Sequence, residues 1–202
     1  MQEFILMILE KYSYFGSFFL IFIENIFPPI PSEVILLLSG FMTSYTTLNV
    51  MLMIISSSLG SLLGAILLYY VGKILNKDRL KKMVRGKIGK VLFLKEKDID
   101  KADAWFDNKG NKSVFFCRFV PIVRSLISIP AGMSEMPMIK FIVYTLCGSL
   151  IWNTVLICLG HKLSENWSIM LDILDKYKII VIIIMSVIFI YVLYKFYKKR
   201  AK

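Results

Sequence analysis

Histidine is almost missing: His161 is the only one in 202 residues. A single imidazole excludes mechanisms that need two, which removes lipid phosphatases of the histidine-nucleophile type and zinc sites built on paired histidines. Cysteine is scarce as well. Cys117, Cys147 and Cys158 form an odd set, all in apolar stretches, at spacings that match no zinc or disulfide pattern, so they read as small packing residues. There is no Ser/His pair and no paired-aspartate metal motif, so no catalytic site is recognisable and neither a cofactor nor a metal is expected. Charge is missing over long stretches: there is none from Val34 through Gly72 and none from Phe141 to Gly160.

What fills those stretches is apolar. Hydrophobic residues make up 57% of the chain, aromatics 14%, and the mean hydropathy is +0.67, too apolar for a soluble domain. The expected class is an all-α integral membrane protein. Apolar character returns repeatedly down to the C-terminal end, unlike a cleaved signal peptide, so the first segment is expected to be retained. Crossing a hydrocarbon core takes about 20 apolar residues, and transmembrane helices are expected over 48–72, 140–160 and 177–195.

Two further apolar regions are too broken for a simple span. Glu24, Pro28, Pro29, Pro31 and Glu33 interrupt the first, and Arg118, Pro121, Arg124 and Pro130 the second, which continues to Gly132. Proline removes a backbone donor and clashes with the preceding turn, so such clusters turn the chain inside the membrane. Two re-entrant hairpins are expected, over 14–45 and 113–134. Non-helical backbone at that depth survives only where protein or a water-filled cavity satisfies it. Paired broken segments in two halves of a transporter point to its binding site.

An internal echo supports two halves. Leu38-Ser39-Gly40 ends the first hairpin as Pro130-Ala131-Gly132 ends the second, and each following span carries glycines twelve apart, Gly60 with Gly72 and Gly148 with Gly160. Ser56, Ser57, Ser58, Gly60, Ser61, Gly64 and Ala65 give a small-residue face for close helix packing.

The net charge of +11 is uneven: residues 73–112 hold 13 Lys/Arg and 6 Asp/Glu, net +7, which leaves +4 elsewhere. Lying between spans, this basic segment reads as a cytoplasmic loop, with amphipathic helices on the membrane surface, and no nucleic-acid partner is expected. The basic tail 196–202 belongs on the same side, so the C-terminus is cytoplasmic. The two hairpins then enter from opposite faces, an inverted repeat. Residues 1–13 read as an interfacial helix, and the whole chain as a single multi-pass membrane domain.

The ionisable residues of the broken regions are the candidate site. An intramembrane arginine is costly and normally faces a cavity or an anion. Arg118 and Arg124 could clamp one phosphate, because a planar guanidinium holds phosphate through parallel hydrogen bonds that lysine cannot copy. Glu24 and Glu33, brought together by the proline turn, are candidate proton-responsive carboxylates or partners for the arginines. Glu–Arg pairs that merely tie hairpin to hairpin are the structural alternative. Asn25, Ser32, Ser125 and Ser128 would line the cavity or satisfy hairpin backbone, Trp152 and Asn153 would join helices, and His161 would sit at the interface.

The run Glu24-Asn25-Ile26-Phe27-Pro28-Pro29-Ile30-Pro31-Ser32-Glu33, followed by Ser39-Gly40, resembles the first signature of the DedA (VTT-type) family of membrane proteins. Phe116-x-Arg118-x-x-Pro121-x-x-Arg124, continuing to Pro130-Ala131-Gly132-x-x-x-Met136, resembles that family's arginine motif, and Gly148 with Trp152 fits the span after it. The resemblance covers nearly the whole chain. It implies two opposed re-entrant hairpins, a place in the bacterial cytoplasmic membrane, and transport of a phosphorylated lipid, with Glu24, Glu33, Arg118 and Arg124 as the functional residues. Some members carry aspartate where this chain has Glu33. The leading expectation is a flippase for undecaprenyl phosphate, with proton coupling open. The alternatives are a glycerophospholipid scramblase, for instance for phosphatidylethanolamine, and a proton-coupled small-cation transporter. A homo-oligomer is compatible with all of these.

Overall fold

The computed structural model describes residues 2–27, 31–75, 110, 112–120 and 123–163, and the regular structure among them is helix, with no strand. The elements are α1 (Gln2–Ile26), α2 (Ser32–Tyr45), α3 (Val50–Ile74), α4 (Val123–Leu126), α5 (Ser128–Met133) and α6 (Met138–Lys162); residues 112–117 are also helical. They lie in one unit, Met1–Lys162, and residues from Leu163 form a second. The expected span 177–195, the tail 196–202, most of the basic segment, and Pro28, Pro29 and Pro121 fall outside the described residues.

Burial runs opposite to that of a water-soluble helix. On α3 the outward residues are Leu52, Ile55, Leu59, Leu63 and Leu67, three or four apart and each at least 40% exposed. The inward residues include Ser57, Ser58, Gly60, Ser61, Gly64 and Ala65. α6 repeats this, with Ile139, Val143, Ile151 and Val155 outside and Thr145, Gly148, Ser149 and Asn153 inside. Such an arrangement is stable where the solvent is hydrocarbon: apolar side chains gain nothing from leaving it, while small and polar residues gain contacts and hydrogen bonds at the helix interface. Glu3–Ile26, Val50–Ile74 and Met138–Lys162 are each long and apolar enough to cross a membrane. Cys147, expected to pack inside, is exposed on α6.

α1 is bent at Ser13, whose backbone (φ 50°, ψ −120°) is non-helical and in a region that L residues rarely adopt. Tyr14, next in sequence, is tied to the start of α3: its hydroxyl accepts from the Asn49 amide at 2.7 Å, and its carbonyl accepts from the Ser56 hydroxyl at 2.6 Å. Asn49 caps α3 by accepting from the amides of Met51 (2.8 Å) and Leu52 (3.3 Å). Pro31 stands just before α2, where its fixed φ suits a helix entrance, and Glu33 falls in the first turn, at the positive end of the helix dipole.

Pro130 and Gly132 differ from the sequence expectation. Neither turns the chain, because both lie inside α5. Pro130 is in its first turn, where an amide has no intrahelical partner to lose. α5 instead ends one residue later in a Schellman motif, with Met136 donating to the Ala131 carbonyl (3.1 Å) and Glu135 to the Gly132 carbonyl (3.2 Å). The left-handed position in it is taken by Glu135 at φ 50°, not by a glycine.

The glycine echo sets how the helices cross. A Cβ on Gly40 of α2 would run into the Ile157 carbonyl of α6, and one on Gly160 of α6 into the Leu37 carbonyl of α2. The same reciprocal pair joins α5 to α3, Gly132 against Tyr69 and Gly72 against Ile129. α2, in the first half, therefore packs on the span of the second half, and α5, in the second half, on the span of the first. The preceding arms stay with their own spans: Gly60 of α3 faces the Phe18 carbonyl of α1, and Gly148 of α6 faces Phe115 and Arg118. The two halves are interlocked.

Candidate functional site

Arg118 follows the 112–117 helix, whose end is tightened by successive short-range bonds from the amides of Arg118, Phe119 and Val120 to the carbonyls of Phe115, Phe116 and Cys117 (3.1, 3.2 and 3.1 Å). Its side chain passes over Gly148, where a Cβ would come within 2.9 Å of the Arg118 Cβ and Cγ. The guanidinium is 1% exposed, and its Nη2 donates to Ser128 Oγ (3.2 Å) and Thr145 Oγ1 (3.1 Å). Arg124, in α4, is buried to the same degree; its Nη2 lies 3.5 Å from Ser61 Oγ and 3.7 Å from Glu24 Oε2.

Glu24 closes α1. Its Oε1 accepts from Ser125 at 3.3 Å and its Oε2 from the amide of Asn25, also at 3.3 Å. Glu33 and Arg118 also lie within electrostatic reach of this carboxylate, as the two arginines do of each other. Two cations and two anions thus share one buried volume, though only Arg124 and Glu24 form an ion pair among the described residues. Arg118 is held by hydroxyls, so the expectation that each arginine pairs with a glutamate holds for one of them.

The pairing is incomplete. Nε and Nη1 of both arginines are buried without a hydrogen-bond partner among the described residues, as are Glu33 Oε1, Asn25 Oδ1 and Trp152 Nε1. Buried donors and acceptors of folded proteins are nearly always satisfied, so these orphaned atoms single out the arginines and their neighbours as a candidate site. Most of the N–H donors in this cluster are cationic, which favours an anion with several acceptor oxygens.

Three hydroxyls that hold the cluster, on Ser61, Thr145 and Ser149, were not read as site residues in the sequence. The signal was present: Ser57 and Ser61 stand four apart on the glycine face of α3, and Thr145 and Ser149 repeat that spacing on α6, at the offset that relates Gly60 to Gly148. Asn153 joins the spans, as expected. Its side-chain oxygen accepts from Ser57 Oγ (3.3 Å) and Ser58 Oγ (3.1 Å), and its amino group donates to the Ser149 carbonyl (3.2 Å). His161 Nδ1 lies 2.9 Å from Thr43 Oγ1, joining the end of α6 to α2.

Interlocked helices with lipid-facing outsides and a buried, incompletely paired arginine cluster define a membrane protein with a polar interior site. The VTT domain matches residues 30–162. The chain is 36% identical over 204 residues, 100% of both chains, to undecaprenyl phosphate transporter A of Staphylococcus aureus (strain NCTC 8325 / PS 47). It is 34% identical over 171 residues to undecaprenyl phosphate transporter A of Bacillus subtilis (strain 168), covering 85% of this chain and 83% of that one. It is also 52% identical over 200 residues to an "alkaline phosphatase-like protein" of Lactococcus lactis subsp. lactis (strain IL1403), covering 99% of this chain and 94% of that one. No solved structure matches. The chain belongs to the VTT-domain, or DedA, family of membrane proteins.

Proposed function

We propose that this protein is a flippase that carries undecaprenyl phosphate across the bacterial cytoplasmic membrane, with Arg118 and Arg124 as the ligands of the phosphate. The observation that carries the reading is the set of unpartnered Nε and Nη1 donors on two fully buried guanidiniums. A phosphate in their midst would satisfy them by charge-assisted bonds, each about twice as strong as a neutral one. Two relatives bearing the name undecaprenyl phosphate transporter A favour this lipid over others. A transporter also suits the residues better than a phosphatase, since the cluster offers anion donors and the chain a single histidine distant from them in sequence.

Hairpins that enter the membrane and return suit the arm lengths. Beyond the bend, α1 rises about 20 Å, and α2 about 21 Å, against a hydrocarbon core of about 30 Å. In this reading the hairpins gate the site from opposite faces, the C-terminus is cytoplasmic, and the basic segment lies on the cytoplasmic surface. Glu24 is the mobile counter-ion. At 3.7 Å its bridge to Arg124 is loose, and an entering phosphate would displace it, leaving a carboxylate with which a proton can be exchanged.

The test is transport of labelled undecaprenyl phosphate across liposomes containing the purified protein, beside Arg118→Ala and Arg124→Ala, with and without a pH gradient. Transport is expected to depend on both arginines; a folded Arg118→Ala protein that transports normally overturns the assignment. A second reading, a glycerophospholipid with an amine head group, is favoured by the unpartnered Glu33 Oε1, which could accept from an ammonium.

A further inference from the structure

The site carries unsatisfied acceptors as well as donors. Asn25 is fully buried at the end of α1, packed where Gly64 of α3 has no side chain: a Cβ there would come within 2.6 Å of the Asn25 Cβ. Its amide orientation is fixed by its neighbours. Nδ2 donates to the Ile21 carbonyl at 3.1 Å, to Glu24 Oε2 at 3.3 Å and to Ser61 Oγ at 3.5 Å. All three accept, and the Ile21 carbonyl cannot donate, so turning the amide over would set its oxygen against that carbonyl oxygen. Oδ1 therefore points away from them, buried and without a partner among the described residues.

Arg124 Nη2 reaches the same two atoms, Ser61 Oγ at 3.5 Å and Glu24 Oε2 at 3.7 Å. The amide and the guanidinium thus share two acceptors, so Asn25 belongs to the same buried cluster as Arg124. Glu33 Oε1, in the first turn of α2, is a second unpartnered acceptor.

Resting on the phosphate reading above, we infer that Asn25 Oδ1, with Glu33 Oε1, selects a head group that brings a hydrogen-bond donor together with its phosphate oxygens. A fully substituted phosphodiester without N–H or O–H would satisfy the arginines and leave both acceptors buried and unpaired. Sites built to pair with a polar group discriminate strongly against analogues that lack it. Two sources supply the donor: the P–OH of a singly ionised phosphomonoester, or the ammonium of an aminoalkyl phosphodiester.

The experiment is binding of short-chain phosphatidic acid, phosphatidylethanolamine and phosphatidylcholine to the purified full chain at about pH 5.5, where a phosphomonoester keeps one proton. The donor-bearing lipids, one or both, are expected to bind roughly tenfold more tightly than phosphatidylcholine, the worth of one buried hydrogen bond. Raising the pH to about 8.5 removes the phosphomonoester proton and leaves the amine charged, so it tells the two sources apart. Asn25→Leu should lose the preference while still binding all three lipids, whereas Arg118→Ala should lose binding of all three. Equal, arginine-dependent binding of the three lipids by the wild type overturns the selector and keeps the phosphate site. No binding of any overturns both. A preference retained by folded Asn25→Leu overturns the role of that residue, and should the variant not fold, the wild-type comparison still decides.

Discussion

The hydroxyls of Ser61 and Ser149 meet at 3.1 Å across 88 residues of chain, and each follows the first glycine of its own Gly60/Gly72 or Gly148/Gly160 pair. Ser61 is also in contact with Arg124 and Asn25, so α3 and α6 meet through these hydroxyls at the edge of the candidate site.

Glycine substitutions should separate stability from function. Gly132→Ala drives a methyl into the Tyr69 carbonyl, a backbone atom that cannot step aside. It should cost about 1–3 kcal/mol, read as a lowered thermal midpoint in detergent. Gly148→Ala presses on the stem of Arg118, so lipid transport in liposomes should fall out of proportion to any loss of stability.

Arg118→Lys keeps the charge and removes the planar fork. A lysine ammonium that holds Ser128 and Thr145 keeps one further donor, where the guanidinium keeps three in a planar fork. Transport should drop by at least about tenfold with the fold intact, as judged by circular dichroism and gel filtration.

Glu135→Gly should stabilise the protein. Glu135 is exposed and carries a positive φ at the end of α5, so relief of its left-handed strain is worth about 0.5–1 kcal/mol. The thermal midpoint should rise while transport stays unchanged.

Asn153→Leu removes the bonds that join α3 to α6 at Ser57 and Ser58. Interhelical hydrogen bonds in membranes contribute about 0.6–2 kcal/mol, so a lowered unfolding midpoint is expected, and no loss beyond that of an Asn153→Ala control.

The chemistry of the site was legible in the chain because charge is conspicuous in an apolar background. Glu24, Arg118 and Arg124 stand out there; Glu24 and Arg124 form an ion pair, with Arg118 within electrostatic reach. Their partners were less visible. Serine and threonine are common in apolar helices as packing residues, so only the repeat offset could have marked Thr145 and Ser149. Pro130 and Gly132, expected to break the second hairpin, lie inside α5, for a proline's local preference is the same whether it opens a helix or breaks one, and a glycine's whether it ends a helix or admits a neighbour.

The sequence by itself determined the solvent: charge-free apolar runs as long as 50–72 and 141–160 are those of helices that cross hydrocarbon, and the glycines within them announce close helix approaches. Tertiary structure alone decided which helices approach. A glycine announces that some backbone comes near without saying whose, and here Gly40 receives Ile157 while Gly132 receives Tyr69, each from the opposite half. It also decided that Glu24 sits against Arg124 while Arg118 rests on hydroxyls. Side-chain pairing inside a membrane follows from which helices cross, and those crossings come from contacts distant in sequence that local residue preference does not encode.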